Sequence, residues 1–354
     1  MRYHQTKIFI LIVLIISMIL HSCSLFKIKP RKKITDKKLS SLVLTGYGIS
    51  TYTSESIETY LKELKDLGTN TASFLYTCYV ENRNDPNVDC DSYDSPRLNR
   101  LSDAIRLAKD QNFIVSLRVY VDLKDLEWRC HWNPDNKEQT FKSLNKTLKR
   151  VAKFSEEHQV ELLIIGAEYC QLTTRKYTKE WKKIISTTRD NFNGKITYGA
   201  NWGEVRGIKE WRELKFWPQL DYIGIDHYHP LPNKVTEKKI AQIQKRRFRQ
   251  YQNLAQRLKK PLMITELGFP GHYQGHQAPF DWELKGRSDE SRQAKNYKGT
   301  LKAINDVGYF KGVFIWRKES ESKKKMLTYD KDALNYRLYK REAWYEIKNF
   351  FKYY

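Results

Sequence analysis

The chain has 354 residues, 40% of them hydrophobic and 13% aromatic, which is enough for a packed core and excludes wholesale disorder. Lys and Arg number 64 against 41 Asp and Glu, a formal charge of +23, and such an excess suits nucleic acid, an anionic membrane or an acidic polymer. The basic residues are scattered over every predicted helix, in short runs such as Lys245-Arg246-Arg247, with neither zinc-ligand spacing nor an RNA-binding signature, so no nucleic-acid partner is expected.

In chain order, Arg2 and Lys7 precede an apolar run from Ile8 to Leu20, broken at Ser17, which has the length of a signal-peptide core and is short for a bilayer span. Leu20-His21-Ser22-Cys23 resembles a bacterial lipobox, with Leu three residues and a small Ser one residue before the cysteine, and with His21 as its departure. The expected division is a signal peptide over 1–22, a lipidated Cys23 with a basic linker over 23–40, and one domain over 41–354. This makes an exported bacterial protein anchored to the membrane at the cell envelope; an uncleaved signal anchor is the alternative. Lys27, Lys29, Arg31, Lys32, Lys33, Lys37 and Lys38 would form a basic tether attracted to anionic lipid. Cys78, Cys90, Cys130 and Cys170 lie near predicted strand ends, as two disulfides in any of three connectivities or as free thiols.

From Ser41 onward, short apolar runs alternate with amphipathic segments. The runs 42–49, 71–80, 113–121, 161–168, 195–201, 222–228, 262–267 and 312–316 read as strands buried on both faces. Ile57, Leu61, Leu64 and Leu67 mark a helix face ended by Gly68, and Leu98, Leu101, Ile105 and Ala108 mark the next. Longer helices fit 141–158 and 235–258, and 333–350 would close the fold. Eight strands alternating with helices is the arithmetic of an α/β fold of one (β/α)8 TIM barrel. A doubly wound open sheet fits less well, because Thr45-Gly46-Tyr47-Gly48 lacks the third glycine of a phosphate-binding turn.

Two of these runs close on a glutamate: Val160-Glu161-Leu162-Leu163-Ile164-Ile165-Gly166-Ala167-Glu168 and Pro261-Leu262-Met263-Ile264-Thr265-Glu266-Leu267-Gly268. Barrel enzymes assemble their chemistry at the C-terminal strand ends, and two carboxylates there are the minimum equipment for cleaving a glycosidic bond. Glu168, ending the fourth strand, is the expected acid/base and Glu266, ending the seventh, the expected nucleophile, with Gly166-Ala167 leaving room for a sugar. Trp316 would supply an apolar floor that Trp202 and Trp128 extend, with Arg118 and Arg129 as charge partners near the cleft. The long loop 268–288, containing His272, His276 and Trp282, would wall one side. Its His-x-x-x-His spacing sits among Gly271, Gly275 and Pro279, so neither a metal nor a cofactor is expected.

An acid/base on strand four with a nucleophile on strand seven is the layout of the clan A glycoside hydrolases. Several stretches resemble more narrowly the family-113 β-mannanase group. These are Asp221-Tyr222-Ile223-Gly224-Ile225-Asp226-His227-Tyr228 for its sixth strand, Thr265-Glu266-Leu267-Gly268 for its seventh, Gly312-Val313-Phe314-Ile315-Trp316 for its eighth, and Trp128-Arg129 with Pro134 for the loop after its third. The resemblance implies a retaining, two-glutamate hydrolase of a β-linked polysaccharide or oligosaccharide, mannan-like; a monomer is expected. It places Trp316, Tyr228, His227, Asn201, Trp202, Trp128 and Arg129 around the sugar, with Tyr228 hydrogen-bonded to the nucleophile. One position departs: many clan A enzymes carry Asn immediately before the acid/base, holding the sugar 2-hydroxyl, where this chain has Ala167. Asn201 and His227 are the expected substitutes, and a carbohydrate-binding lipoprotein with decayed catalysis is the alternative.

Overall fold

Eight parallel strands close on themselves in sequence order in the computed structural model, which describes residues 29–34, 37–281 and 283–354. They are β1 (Leu39–Thr45), β2 (Thr71–Val80), β3 (Ile114–Leu123), β4 (Leu162–Ala167), β5 (Lys195–Asn201), β6 (Ile223–His227), β7 (Leu262–Leu267) and β8 (Phe310–Glu319). The helices are α1 (Ser54–Leu67), α2 (Leu98–Asp110), α3 (Lys137–Glu157), α4 (Thr178–Arg189), α5 (Glu210–Glu213), α6 (Glu237–Leu258), α7 (Glu290–Val307), α8 (Lys323–Met326) and α9 (Glu342–Tyr353). The barrel unit is Arg31–Tyr354, and Met1–Pro30 form a separate unit of which only residues 29 and 30 are described. The expected signal peptide, Cys23 and Trp282 lie outside the described residues. None of the described helices is long and apolar enough to cross a membrane.

The strands are apolar on both sides because each has two dry faces to fill. On β3, Leu117, Val119 and Val121 pack outward against the helices, while Tyr120 joins an inner cluster with Val43, Leu75, Ile164, Met263, Phe314 and Trp316. The helix signals read from sequence hold at α1. The Thr53 side chain accepts the amide of Ser56 at its start, and Gly68 ends it with φ of 73°, a conformation that costs glycine least.

The β1–β2 joint is sealed partly by side chains. These strands pair at Val43–Ser73 and Leu44–Phe74. Alongside, the Tyr60 hydroxyl accepts from the Ser73 amide at 2.9 Å and donates to the Leu42 carbonyl at 2.7 Å. The Tyr52 hydroxyl accepts from the Leu75 amide on β2 at 3.1 Å and donates between the Leu75 carbonyl and, at 3.3 Å, the Leu44 carbonyl on β1.

Three expectations about the chain's course need correction. The first strand begins at Leu39 and ends at Thr45, because the chain turns at Gly46, where a Cβ would lie 2.8 Å from the Tyr52 ring. The closing helix starts at Glu342, and residues 333–341 form no helix. There the Asn335 carbonyl accepts from Gly271 and its side chain from Arg337, and the buried Arg341 guanidinium reaches Gln293, Ser288 and the Asp330 carbonyl. Finally, part of the expected tether is spent on the barrel. Arg31 pairs with Glu156 at 2.6 Å and donates to the Val160 carbonyl at 2.7 Å, Lys32 donates its amide to Glu161, and Ile34 packs on the inner cluster.

Candidate active site

A register slip precedes each of the two glutamates. On β7 the inward residue Met263 alternates with outward Ile264, and Thr265 turns inward to donate to Asp226 Oδ1 at 2.7 Å. Plain alternation would send Glu266 outward. The β7–β8 register instead slips between Ile264 and Leu267, leaving Leu267 outward and Glu266 facing the barrel axis beside Thr265. β4 does the same against β5 between Ile164 and Ala167, so Ile165 points out and Ala167 in. Glu168 then adopts φ of 56°, a left-handed conformation uncommon for a residue with a side chain. Bulges of this kind recur beside active sites because they re-aim a side chain without breaking the sheet.

Each carboxyl meets different partners. Glu266 receives the Arg118 guanidinium and the Tyr120 hydroxyl on one oxygen and the Tyr228 hydroxyl at 2.7 Å on the other. Glu168 uses one oxygen only, Oε2, which accepts from Trp128 Nε1 at 3.0 Å and Arg129 Nη1 at 3.3 Å. Arg129 is held in turn by Asp122 at 2.7 Å and lies 3.8 Å over the Tyr120 ring, so one side chain ties the surroundings of both glutamates together. Burial pushes Glu168 up to about 7, the Asp226 charge adding to the rise and Arg129 opposing it. Burial lifts Glu266 to about 7 as well, against the pull of Arg118 and Arg317. Since burial acts alike on both, the donors decide between them: three converge on Glu266 and favour its carboxylate, while Oε1 of Glu168 stays without a protein partner among the described residues and can carry the proton.

A family model for glycoside hydrolase family 113 matches residues 46–341, most of the chain. The chain belongs to glycoside hydrolase family 113. It is therefore a glycoside hydrolase. No curated protein sequence matches it. Among solved structures, a GH113 β-1,4-mannanase superposes with TM-score 0.79 at 18% identity, covering 90% of this chain and 100% of that one. The GH113 β-mannanase AaManA from Alicyclobacillus acidocaldarius gives 0.76 at 20% identity, covering 89% and 97%. A β-glucuronidase from Ruminococcus gnavus gives 0.60 at 11% identity, covering 89% of this chain and 50% of that one. At these identities the likeness speaks for the fold.

In this family-113 barrel the other expected site residues divide. Trp316 lies in the inner cluster, its ring 5.9 Å from that of Tyr120. Trp202 is half-buried, stacked on Phe280 at 6.0 Å, with the His229 ring 4.4 Å away. Trp128 and Arg129 are engaged with Glu168. Asn201 is turned onto its own loop: its Oδ1 accepts from Gly203 at 3.2 Å and its amide nitrogen is 3.9 Å from Cys170 Sγ. His227 is a correction. It follows inward Asp226 and so points out of the barrel, with Nδ1 3.2 Å from Tyr251 and Nε2 3.0 Å from Gln244, and burial lowers its pKa to about 3. A second correction concerns Gly166, whose missing Cβ makes room for the Tyr169 ring at 2.5 Å and not for a sugar. The loop 268–288 has no helix among its described residues, and His272 is spent on the Lys285 carbonyl and the Gln274 amide. No cluster of potential metal ligands occurs among the described residues.

Sequence reasoning missed Tyr120, Asp122, Asp226 and Glu210. The β3 residues carried a usable signal, since Arg118, Tyr120 and Asp122 are polar at alternate positions of an apolar strand. Glu210 carried none. It is fully buried at the start of α5, receiving Thr173 at 2.7 Å, Tyr198 at 2.8 Å and the Asn201 amide at 2.7 Å, and burial pushes it up to about 8. Because Tyr198 also accepts from the Tyr169 amide at 2.7 Å, Glu210 braces the segment directly after Glu168.

The cysteines pair as Cys78–Cys90 and Cys130–Cys170. The second bond joins the residue after Arg129 to the second residue after Glu168, holding the donors on their acceptor. The double variant Cys130→Ala/Cys170→Ala should lower Tm, with a chain-entropy cost of about 4 kcal/mol for a loop of this length. It should also reduce kcat more on substrates with poor leaving groups than on activated aryl glycosides. Calorimetry and the ratio of the two kcat values check this, and an equal loss on both classes would detach the disulfide from the acid/base.

Proposed function

We propose that this family-113 enzyme is a retaining β-mannan-type hydrolase in which Glu168 protonates the departing oxygen and Glu266 attacks the anomeric carbon. The observation that supports this best is the asymmetry of the pair. Arg118, Tyr120 and Tyr228 converge on Glu266, which suits a carboxylate nucleophile, while half-satisfied Glu168 suits an acid that must give up and regain a proton. Mannan enters the proposal from the two mannanases among its structural relatives. Endo action is favoured by aromatic surface on both flanks: Trp202 with exposed Phe280 on one side, and on the other exposed Tyr47, whose ring lies 5.9 Å from the Arg317 guanidinium. Export and lipid anchoring through Cys23 belong to the same reading.

The test is hydrolysis of mannan, glucan, xylan and galactan oligomers by the purified chain, with the anomer of the first product followed by NMR. Cleavage of internal mannosidic bonds with retention is the expected result; an inverted product would require a wider carboxyl separation, beyond about 6.5 Å. The second reading, a glycan-binding protein with decayed catalysis, is favoured by Ala167, which points inward and offers no hydrogen bond. Binding of the same oligomers without turnover would establish it.

A further inference from the structure

All strands are parallel, so the segments that lead into them gather at the end opposite the glutamates. Most carboxylates there are consumed by ion pairs: Asp66 with Lys348, Asp221 with Arg189 and Lys195, Asp306 with Lys302, and Glu161 with buried Lys109. Against unpaired Glu157 and Asp190 stand Lys33 and Lys37 before β1, Lys259 before β7, Lys311 at the start of β8 and Lys352 at the end of α9. All five are exposed and make no ion pair among the described residues. Tyr353 is 75% exposed beside Lys352, and Tyr354 fixes that helix end to this side by donating to the Phe310 carbonyl at 3.1 Å. Lysines around an exposed tyrosine suit a lipid–water interface. At the opposite end, the loop after β2 carries Asp85, Asp89 and Asp94, with Asp91 paired to Arg150, and α8 carries exposed Lys323 and Lys324.

The chain also enters the barrel at the lysine-rich end, where Arg31 is held by Glu156. Counting back to Cys23, the intervening residues can span no more than about 30 Å even if fully extended. We propose that this end is a docking surface for an anionic phospholipid bilayer, which keeps the catalytic cleft turned away from the membrane. The placement rests on the anchoring reading above, since a tether of that length confines this end to the neighbourhood of the headgroups. The attraction itself comes from the described lysines, acts over about a Debye length, and fades with salt.

Hydrogen exchange of the full chain with added vesicles tests it, using phosphatidylcholine alone or mixed with phosphatidylglycerol. On the anionic vesicles, segments 31–38, 257–261, 309–312 and 350–354 should gain protection that high salt removes, and segments 81–97 and 323–326 should not. The variant Lys259→Glu/Lys311→Glu/Lys352→Glu should lose that protection while hydrolysing soluble oligosaccharides as before. Protection of 81–97 or 323–326, or one pattern on both kinds of vesicle, overturns the proposal. Fatty-acid incorporation lost in Cys23→Ser tests the anchor separately: a chain that takes up no label yet shows the anionic-vesicle pattern overturns the anchor and keeps the surface.

Discussion

Glu266→Ala should reduce turnover to background while leaving the fold intact. The carboxylate that attacks the anomeric carbon has no substitute nearby, since Asp226 is bound by Thr265 and by Arg118. Glu168→Ala should behave differently. Loss of the proton donor should cost about 10²–10⁴ in rate on substrates with poor leaving groups, the usual scale of general acid catalysis. Activated aryl glycosides need little protonation and should keep much of their glycosylation rate, with added azide relieving the slow deglycosylation step. The pH profile carries the same assignment. Burial lifts Glu168 to about 7, so wild-type kcat/KM should fall as pH rises through that value and the acid loses its proton, and Glu168→Ala should lose this alkaline limb. Wild-type turnover in both variants would sink the assignment.

Arg118→Leu should be the most damaging substitution for stability. The side chain is fully buried and spans Asp226, Glu266 and the Thr265 carbonyl. Its removal leaves two carboxyls in a dry interior with only the more distant Arg129 and Arg317 to offset them, and breaking such a cluster costs about 3–5 kcal/mol. The sign of the pH effect follows. Burial already raises Asp226 and Glu266, and Arg118 opposes the rise in both, so the variant's folded-state values climb further above those of the unfolded chain. A carboxyl with a raised folded pKa stabilises the native state below its unfolded pKa and gives that up as pH rises toward the folded value. Arg118→Leu should therefore lose less Tm, relative to wild type, in mildly acidic buffer than in mildly alkaline buffer. Its remaining activity should need higher pH, because Glu266 must still ionise. Arg118→Lys restores the charge without the planar fork and should recover stability more than rate. A Tm deficit independent of pH would mean that the arginine acts by packing alone.

The barrel was legible because its signal is repeated. Eight apolar runs separated by helix faces leave few alternatives, and the ends of β2, β5 and β7 fall where the runs fall. Glu168 and Glu266 stood out because each closes such a run, yet period-two alternation would have turned Glu266 away from the axis. The slip in the β7–β8 ladder that turns Glu266 inward, and the slip in the β4–β5 ladder that is followed by left-handed backbone at Glu168, depend on pairing between strands and leave no mark within either one. His227 was misread for the opposite reason: β6 keeps its in–out alternation although its ladder to β7 slips between Ile225 and Asp226, so neighbours His227 and Tyr228 cannot both face the cleft. The cysteine pairing needed distances that spacing does not supply. Residues 333–341 have helical periodicity, but Arg341 is drawn into long-range bonds that outweigh it.

Closing a sheet into a barrel abolishes its edges, yet the ring must still be joined somewhere, and between β1 and β2 part of that join is made of phenol. A main-chain hydrogen bond survives any substitution except proline, whereas the hydroxyls of Tyr52 and Tyr60 vanish with a single oxygen atom. The cohesion of this wall is thus written in the genetic code and open to gradual tuning, on strands that carry neither glutamate. A lineage can stiffen or slacken the hoop of the barrel there and leave the chemistry at β4 and β7 untouched.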